Sequence, residues 1–378
     1  SFIPICAESE AVGMVIIMKK LFTLLCALSL TTTMLAGCAA DSSAETTSNP
    51  QDTDDETVVT ESGTADTPEV SETETAEAVD VNIMALKGPT AMGMVQFMSE
   101  ADAGTITDNN YQFSITAMTD EVSAALAQGT TDIAAVPANL ASILYHNTEG
   151  GVQVLALNTL GVLYIVESGD TVQSIADLQG KTIYASGKGG TPEYALNYIL
   201  TENGIDPATD VTIEWKSEQT ECLAALTAQE NAIAMLPQPF VTTAQTKSDT
   251  IRVALDLTEE WDKLQADSET PSTLVTGVVV ARSAFVEEHP EAVSAFLDHY
   301  QTSVEFVNSN VTEAAQLVGA YDVVTAEVAE KAIPACNIVF MEGAEMQEKL
   351  SGYLSVLLEQ NAQSVGGALP GDDFYYSR

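Results

Sequence analysis

The sequence predicts an α/β fold of two lobes, and three observations carry that prediction. From Val81 onward, short apolar runs alternate with helix-like segments, the pattern of strands joined by crossover helices. Strands such as Asp132-Ile133-Ala134-Ala135-Val136 are continuous apolar runs without strict alternation, so mostly parallel sheets covered on both faces are expected. The theme runs once to about Val166 and again from about Ser168, and the chain then returns through Leu274–Ala281.

In the first block, Val81–Leu86 reads as a strand that Lys87-Gly88-Pro89-Thr90 breaks. A helix is expected from Ala91 to about Ala101, with Met92, Val95 and Met98 on one face. A strand over Tyr111–Ala117 precedes a helix over Asp120–Gln128, with Thr119 as its cap and Gly129 as its stop. Asp132–Val136 is a strand, Pro137-Ala138-Asn139 opens a helix, and Val152–Leu157 and Leu163–Val166 are further strands. In the second block, a short helix over Ile175–Lys181 leads to the strand Thr182–Tyr184. The glycine-rich loop Ser186–Thr191 then enters a helix with Pro192 in its first turn. Strands at Val211–Trp215, Ala232–Leu236 and Ile251–Leu255 alternate with helices at Thr220–Gln229 and Phe240–Thr246. The C-terminal third reads as helices at Pro290–Asn308, Thr312–Gly319, Thr325–Ala332 and Glu345–Gln360. Two crossings between lobes, near Val162–Glu167 and Thr258–Thr276, are expected to act as a hinge.

Upstream of this body, Met18 to Cys38 has two lysines, an apolar run over Leu21–Leu30 and a small-residue ending, the pattern of an export signal. Its unbroken apolar core is shorter than the roughly 20 residues of a bilayer span. Leu35-Ala36-Gly37-Cys38 resembles the lipobox of bacterial lipoproteins, which implies lipid on Cys38 and an extracytoplasmic body anchored at the cell membrane. Residues 1–17 are expected to precede the true start. The tract Ala39–Val79 has no Lys, Arg or aromatic residue and reads as a solvated acidic tether. The expected organisation is 18–37 signal, 38–80 lipidated cysteine and tether, 81–166 first lobe, 167–258 second lobe, and 259–378 the return to the first lobe with the C-terminal helices.

The formal net charge of -42, from 55 acidic and 13 basic residues, argues against a nucleic-acid partner, which needs a basic face. After export, Cys222 and Cys336 remain and are expected as two buried thiols, so no disulfide scaffold is implied. His146, His289 and His299 lie on separate helices without metal-ligand spacing. The Ser186–Thr191 loop lacks the spacing of a phosphate-binding P-loop, and no G-x-S-x-G elbow occurs. The expectation is therefore a protein without metal, cofactor or catalytic residues, and a monomer.

Ligands of open α/β sheets sit beyond the carboxyl ends of strands, where loops meet helix N-termini. Here those ends are Lys87-Gly88-Pro89-Thr90-Ala91-Met92, Pro137-Ala138-Asn139, Ser186-Gly187-Lys188-Gly189-Gly190-Thr191 and Gln238-Pro239. Lys87 and Lys188 are cations on facing loops of a chain poor in them, beside backbone N–H groups that attract anions. Thr90 is a candidate cap, and Gly190 a candidate for positive φ or close ligand approach. Tyr194, Trp215 and Phe240 are candidate lining of the second lobe, with burial the plainer reading for each.

In this order the residues resemble a known family. Leu126-Ala127-Gln128-Gly129 with Asp132-Ile133-Ala134, Ile175-Ala176-Asp177-Leu178-Gln179-Gly180-Lys181, the Ser186–Thr191 turn, Leu236-Pro237-Gln238-Pro239 and Phe285 with His289-Pro290-Glu291-Ala292-Val293 carry the likeness. It is to the solute-binding proteins of ABC importers, in the nitrate, sulfonate, taurine and thiamine-precursor (SsuA-like) group. The resemblance implies the type II periplasmic-binding-protein fold, with a cleft between lobes that closes on a small anionic or heterocyclic solute. It also implies delivery to a membrane permease and its ATPase. The family often carries an acidic residue where this chain has Gln238, so a contact to a cationic ligand group lacks its carboxylate here. The rivals are an enzyme on the same fold, a pyrimidine synthase or thiaminase-like hydrolase, which needs a reactive Cys or His in the cleft, and a ligand-sensing surface module.

Overall fold

The computed structural model describes residues 78–268 and 272–378; the expected export signal, Cys38 and nearly all of the expected tether lie outside them. The first lobe begins with β1 (Asp80–Leu86), α1 (Pro89–Met92), α2 (Val95–Asp102), β2 (Asn110–Thr116), α3 (Thr119–Gln128), β3 (Ile133–Pro137), α4 (Ala138–Asn147) and β4 (Val152–Leu160). The second holds β5 (Leu163–Ser168), β6 (Thr182–Ser186), α5 (Thr191–Glu202), β7 (Thr212–Lys216), α6 (Gln219–Ala228), β8 (Ile233–Pro237), α7 (Phe240–Lys247), β9 (Ile251–Asp256) and α8 (Leu257–Gln265). The chain then completes the first lobe with β10 (Val275–Arg282), α9 (Ser283–Glu288), α10 (Pro290–Ser309), α11 (Val311–Ala320), α12 (Ala326–Ala332), β11 (Ile338–Met341) and α13 (Gly343–Gln360).

The first sheet has the order β11-β4-β10-β3-β1-β2 and the second β7-β6-β8-β5-β9. Each is mixed. β1 is parallel to β2 and β3, and β6 to β7 and β8, but β10 and β5 run against their neighbours. The expectation of mostly parallel sheets is corrected in this respect: the antiparallel strands are the ones that enter a lobe from the other, plus the edge strand β11. Their apolar runs look alike in sequence because β3, β5, β8 and β10 are each buried on both faces, whichever way they run.

The chain leaves the first sheet after Leu160, and β5 already pairs with β8 and β9, so the lobe boundary expected at 166/167 falls inside β5. The boundary expected at 258/259 is also early, since α8 packs on α5 and β5 before the chain re-enters the first sheet at Val275. The two connections touch: a Cβ on Gly161 would lie 2.1 Å from Thr258 Oγ1. The helix expected from Ala91 to Ala101 is split at Gly93, where a Cβ would meet Ile338 and Tyr300 at 3.1 and 3.3 Å. Thr119 does not cap α3; it is the first helical residue, after Met118. Gly129 stops that helix as expected, at φ 70.

One apolar cluster joins the lobes through Trp261 on α8, which lies 4.6 Å from Tyr198 of α5 and 5.7 Å from Tyr353 of α13, ring to ring. Two further clusters cover the opposite faces of the two sheets. At the strand ends away from the cleft, each lobe ties its arginine to a buried carboxylate, Arg282 to Asp132 at 2.6 Å and Arg252 to Glu167 at 2.8 Å. Burial would raise the Glu167 carboxyl. Hydrogen bonds from Thr171 and Val172, together with Arg252, outweigh it and hold the group below its ordinary range. These arginines are thereby committed to the scaffold.

Candidate functional site

The carboxyl ends of β1, β3 and β4 in the first lobe face those of β6 and β8 in the second, around a cavity of about 490 Å³. A larger cavity, about 680 Å³, lies beside Val79 and Asn109, at the amino ends of β1 and β2, where no loop from the second lobe reaches. The smaller one is the candidate site because loops of both lobes converge on it.

Six helices begin at its rim: α1, α3, α4, α5, α6 and α7, with Thr119 and Gln219 the first residues of α3 and α6. The N-cap residues of α1, α4, α5 and α7 are Gly88, Pro137, Gly190 and Pro239, none of which offers a capping side chain. Gly88 takes φ 136 and Gly187 and Gly189 take φ 85 and 80, backbone that side chains rarely adopt. Gly190, a candidate for positive φ or close ligand approach, is extended at −125; the positive-φ residues of the loop are Gly187 and Gly189, the second of them directly before it.

Among the described residues, the rim carries Lys87 and Lys188 and no Asp or Glu. Lys87 Nζ lies 3.2 Å from Asp322, whose carboxylate is 99% exposed, so the pair is weak and screened. Lys188 has no acidic partner within ion-pair distance among the described residues. Gln238 is 5% exposed, and its Oε1 accepts from the Thr242 N–H at 3.3 Å and the Thr242 hydroxyl at 2.9 Å. A backbone N–H only donates, so the atom facing it is the amide oxygen, and the NH2 group of this cavity-lining residue is left turned away from α7. The organic part of a ligand would meet Leu140, Ile143, Val162, Leu163 and Phe240.

The family model that matches residues 103–329, more than half of the chain, is described as "ABC transporter, phosphonate, periplasmic substrate-binding protein". The chain belongs to that family of ABC-transporter binding proteins. Solved structures with the same fold include an ABC transporter protein from Parabacteroides distasonis, 21% identical with a TM-score of 0.66 over 79% of this chain and 99% of that one. The aliphatic sulphonate binding protein SsuA from Escherichia coli is 14% identical, with a TM-score of 0.62 over 79% and 92%. The alkanesulfonate-binding protein SsuA from Xanthomonas axonopodis pv. citri, solved with MOPS bound, is 13% identical, with a TM-score of 0.58 over 78% and 96%. At these identities the likeness is one of fold. No curated protein matches the chain.

Of the residues expected at the site of this binding protein, Lys87, Gly88, Thr90, Pro137, Asn139, Gly187, Lys188, Gly190, Thr191, Gln238 and Pro239 line the one cavity. Ala91, Met92, Ala138 and Ser186 do not. Ala91 and Met92 follow Thr90 around the turn of α1 into the first-lobe core, where Met92 Sδ meets Cys336 Sγ at 3.9 Å. Ala138 is fully buried in α4, and Ser186 is buried at the end of β6. Thr90 is no cap: its hydroxyl donates to Leu86 O at 2.7 Å, pinning α1 to the strand before it. Phe240 is lining, whereas Tyr194 and Trp215 border other surfaces. Sequence reasoning missed Thr159 and Thr276, which sit inside strands and are brought to the cavity only by sheet pairing.

Cys222 and Cys336 are buried and unbridged, and burial pushes their thiols up to about 11 and about 12. Neither lines the cavity, nor does a histidine.

Proposed function

We propose that the protein captures a small organic oxyanion, of phosphonate or sulfonate type, and hands it to an ABC permease as the lobes close about their two connections. The supporting observation is the chemistry of the cavity wall. In a chain with 55 acidic and 13 basic residues, the wall has, among the described residues, two lysines and no carboxylate. It adds the N-termini of α4 and α5, whose N-cap residues offer no side chain, and the donor end of Gln238. Donors and positive dipole ends favour an anion. The fields of the acidic exterior would repel it elsewhere.

Calorimetry with ethylphosphonate and ethanesulfonate tests this reading. Binding of either is expected to weaken as salt rises, and at about 100 times Kd the ligand should stabilise the fold by about 2.7 kcal/mol. Tighter binding of an uncharged heterocycle than of both anions would reject the anion reading. Product formation from a bound solute would replace the binding role with a catalytic one, for which the wall offers no thiol, imidazole or carboxylate.

The extracytoplasmic anchoring is likewise our proposal. It rests on the lipobox-like Leu35-Ala36-Gly37-Cys38, in a chain whose described helices include none long and apolar enough to cross a membrane. Cys38→Ser should abolish labelling by fatty acid and release the protein from membranes. Labelling that survives in that variant would remove the anchor.

A further inference from the structure

Behind the lysine-bearing rim, the floor of the cleft has a different chemistry. Asn158 and Thr159 lie near the end of β4, and Thr276 lies on β10, which pairs with it. Gly277 is opposite Thr159 on one side and Pro137 on the other, and the β4–β10 register shifts on both sides of Gly277. That irregularity is a bulge, the device by which a strand re-aims a side chain, and it leaves both Thr159 and Thr276 in the cavity wall. A Cβ on Gly277 would fall 2.4 Å from Asn158 Oδ1 and 2.7 Å from Thr90 Cγ2, so the Asn158 carboxamide lies against the same wall.

None of these groups is satisfied. Asn158 and Thr159 are fully buried, and Asn158 Nδ2, Asn158 Oδ1, Thr159 Oγ1 and Thr276 Oγ1 have no hydrogen-bond partner. The Tyr300 hydroxyl faces the same amide without reaching hydrogen-bond geometry. Buried polar groups are costly when unpaired, so a cluster of them on a cavity wall is built for a partner that arrives with the ligand. The set also says what kind of partner. Asn158 offers an acceptor oxygen and a donor NH2, and the two threonines both donate and accept, so the set matches a neutral hydroxyl or amide that does both.

We infer that the cleft floor is a second, neutral subsite, in which Thr159 and Thr276, backed by Asn158, take an uncharged hydroxyl or amide of the same ligand. This deepens the anion reading and rests on it: the ligand is bifunctional, with its oxyanion at the lysine-bearing loops and its neutral polar end at the floor.

The test compares ethylphosphonate with 2-hydroxyethylphosphonate by calorimetry on the whole protein. One added neutral hydrogen bond predicts roughly tenfold tighter binding of the hydroxylated probe. In Thr159→Val and Thr276→Val that ratio should fall to about one. Ligand-free melting temperatures of both variants should equal or exceed that of the unaltered protein, since a methyl replaces an unpaired hydroxyl. Equal binding of the two probes, a ratio that survives both substitutions, or variants that melt earlier would overturn the subsite while leaving the anion reading intact. If neither probe nor ethanesulfonate binds, the anion reading fails and the subsite falls with it; if ethanesulfonate alone binds, the same comparison is made between it and 2-hydroxyethanesulfonate.

Discussion

Gln238→Glu is expected to reduce affinity for ethylphosphonate by about 100-fold or more, equivalent to about 2.7 kcal/mol. The substitution keeps the shape of the side chain. One carboxylate oxygen still accepts from the Thr242 N–H and hydroxyl, which now hold Gln238 Oε1 at 3.3 and 2.9 Å. The other oxygen takes the place of the NH2 group, so a donor becomes a charged acceptor in a wall that has no carboxylate of its own. A lost hydrogen bond to a charged partner contributes about 1.5–3 kcal/mol, and like-charge repulsion in a partly desolvated cleft adds to it. The N-terminus of α7 stabilises the new charge, so the fold should survive and the variant should melt close to the parent. Calorimetry and thermal denaturation on the same preparation separate the two effects. Parent-like affinity in the variant would place the anion away from α7.

The two-lobed organisation was legible because its signals are local. A glycine after Gln128, a Gly-rich turn before Pro192 and apolar runs at the strands are each readable without knowing the partner strand. Eleven of the fifteen ligand-binding candidates line the cavity for the same reason: they are loops at strand ends, and the rule that places them needs only strand direction.

What failed was non-local. The run from Ala91 to Ala101 is periodic enough for one helix, and the residues that crowd Gly93 at the break, Ile338 and Tyr300, are far away in sequence. Thr159 and Thr276 read as ordinary strand residues, since a bulge is a property of two strands and leaves no mark in either alone. α8 falls inside the segment expected as a connection, Thr258–Thr276. Its inner face, Leu257, Trp261 and Gln265, finds its partners in α5 and α13, far away in sequence. The same holds for Gln238, whose identity was legible and whose orientation depends on Thr242.

Thr191→Val should weaken ethylphosphonate binding by about 30-fold while changing the melting temperature little. Thr191 starts α5 in the second lobe, and its hydroxyl donates to Asn139 Oδ1, at the start of α4 in the first, at 3.3 Å. It also accepts from Tyr353 of α13 at 3.2 Å, and Asn139 Nδ2 in turn donates to Ser364 O at 3.3 Å. All four residues are buried, and the chain of bonds passes directly from one cleft helix to the other. Valine keeps the volume and removes both bonds, leaving Asn139 Oδ1 and Tyr353 OH unpaired at a cost of about 1–3 kcal/mol each. When the lobes part, water reaches these groups and the cost vanishes, so the penalty falls on closure, and a ligand that requires closure binds less tightly. Tyr353→Phe removes one bond and keeps the lobe-to-lobe contact, so its effect on affinity should be smaller. Small-angle scattering should show Thr191→Val more expanded than the parent at the same ligand concentration. A lowered melting temperature with unchanged affinity would mean that these bonds hold in the open form as well, and that the latch belongs to the scaffold and not to closure.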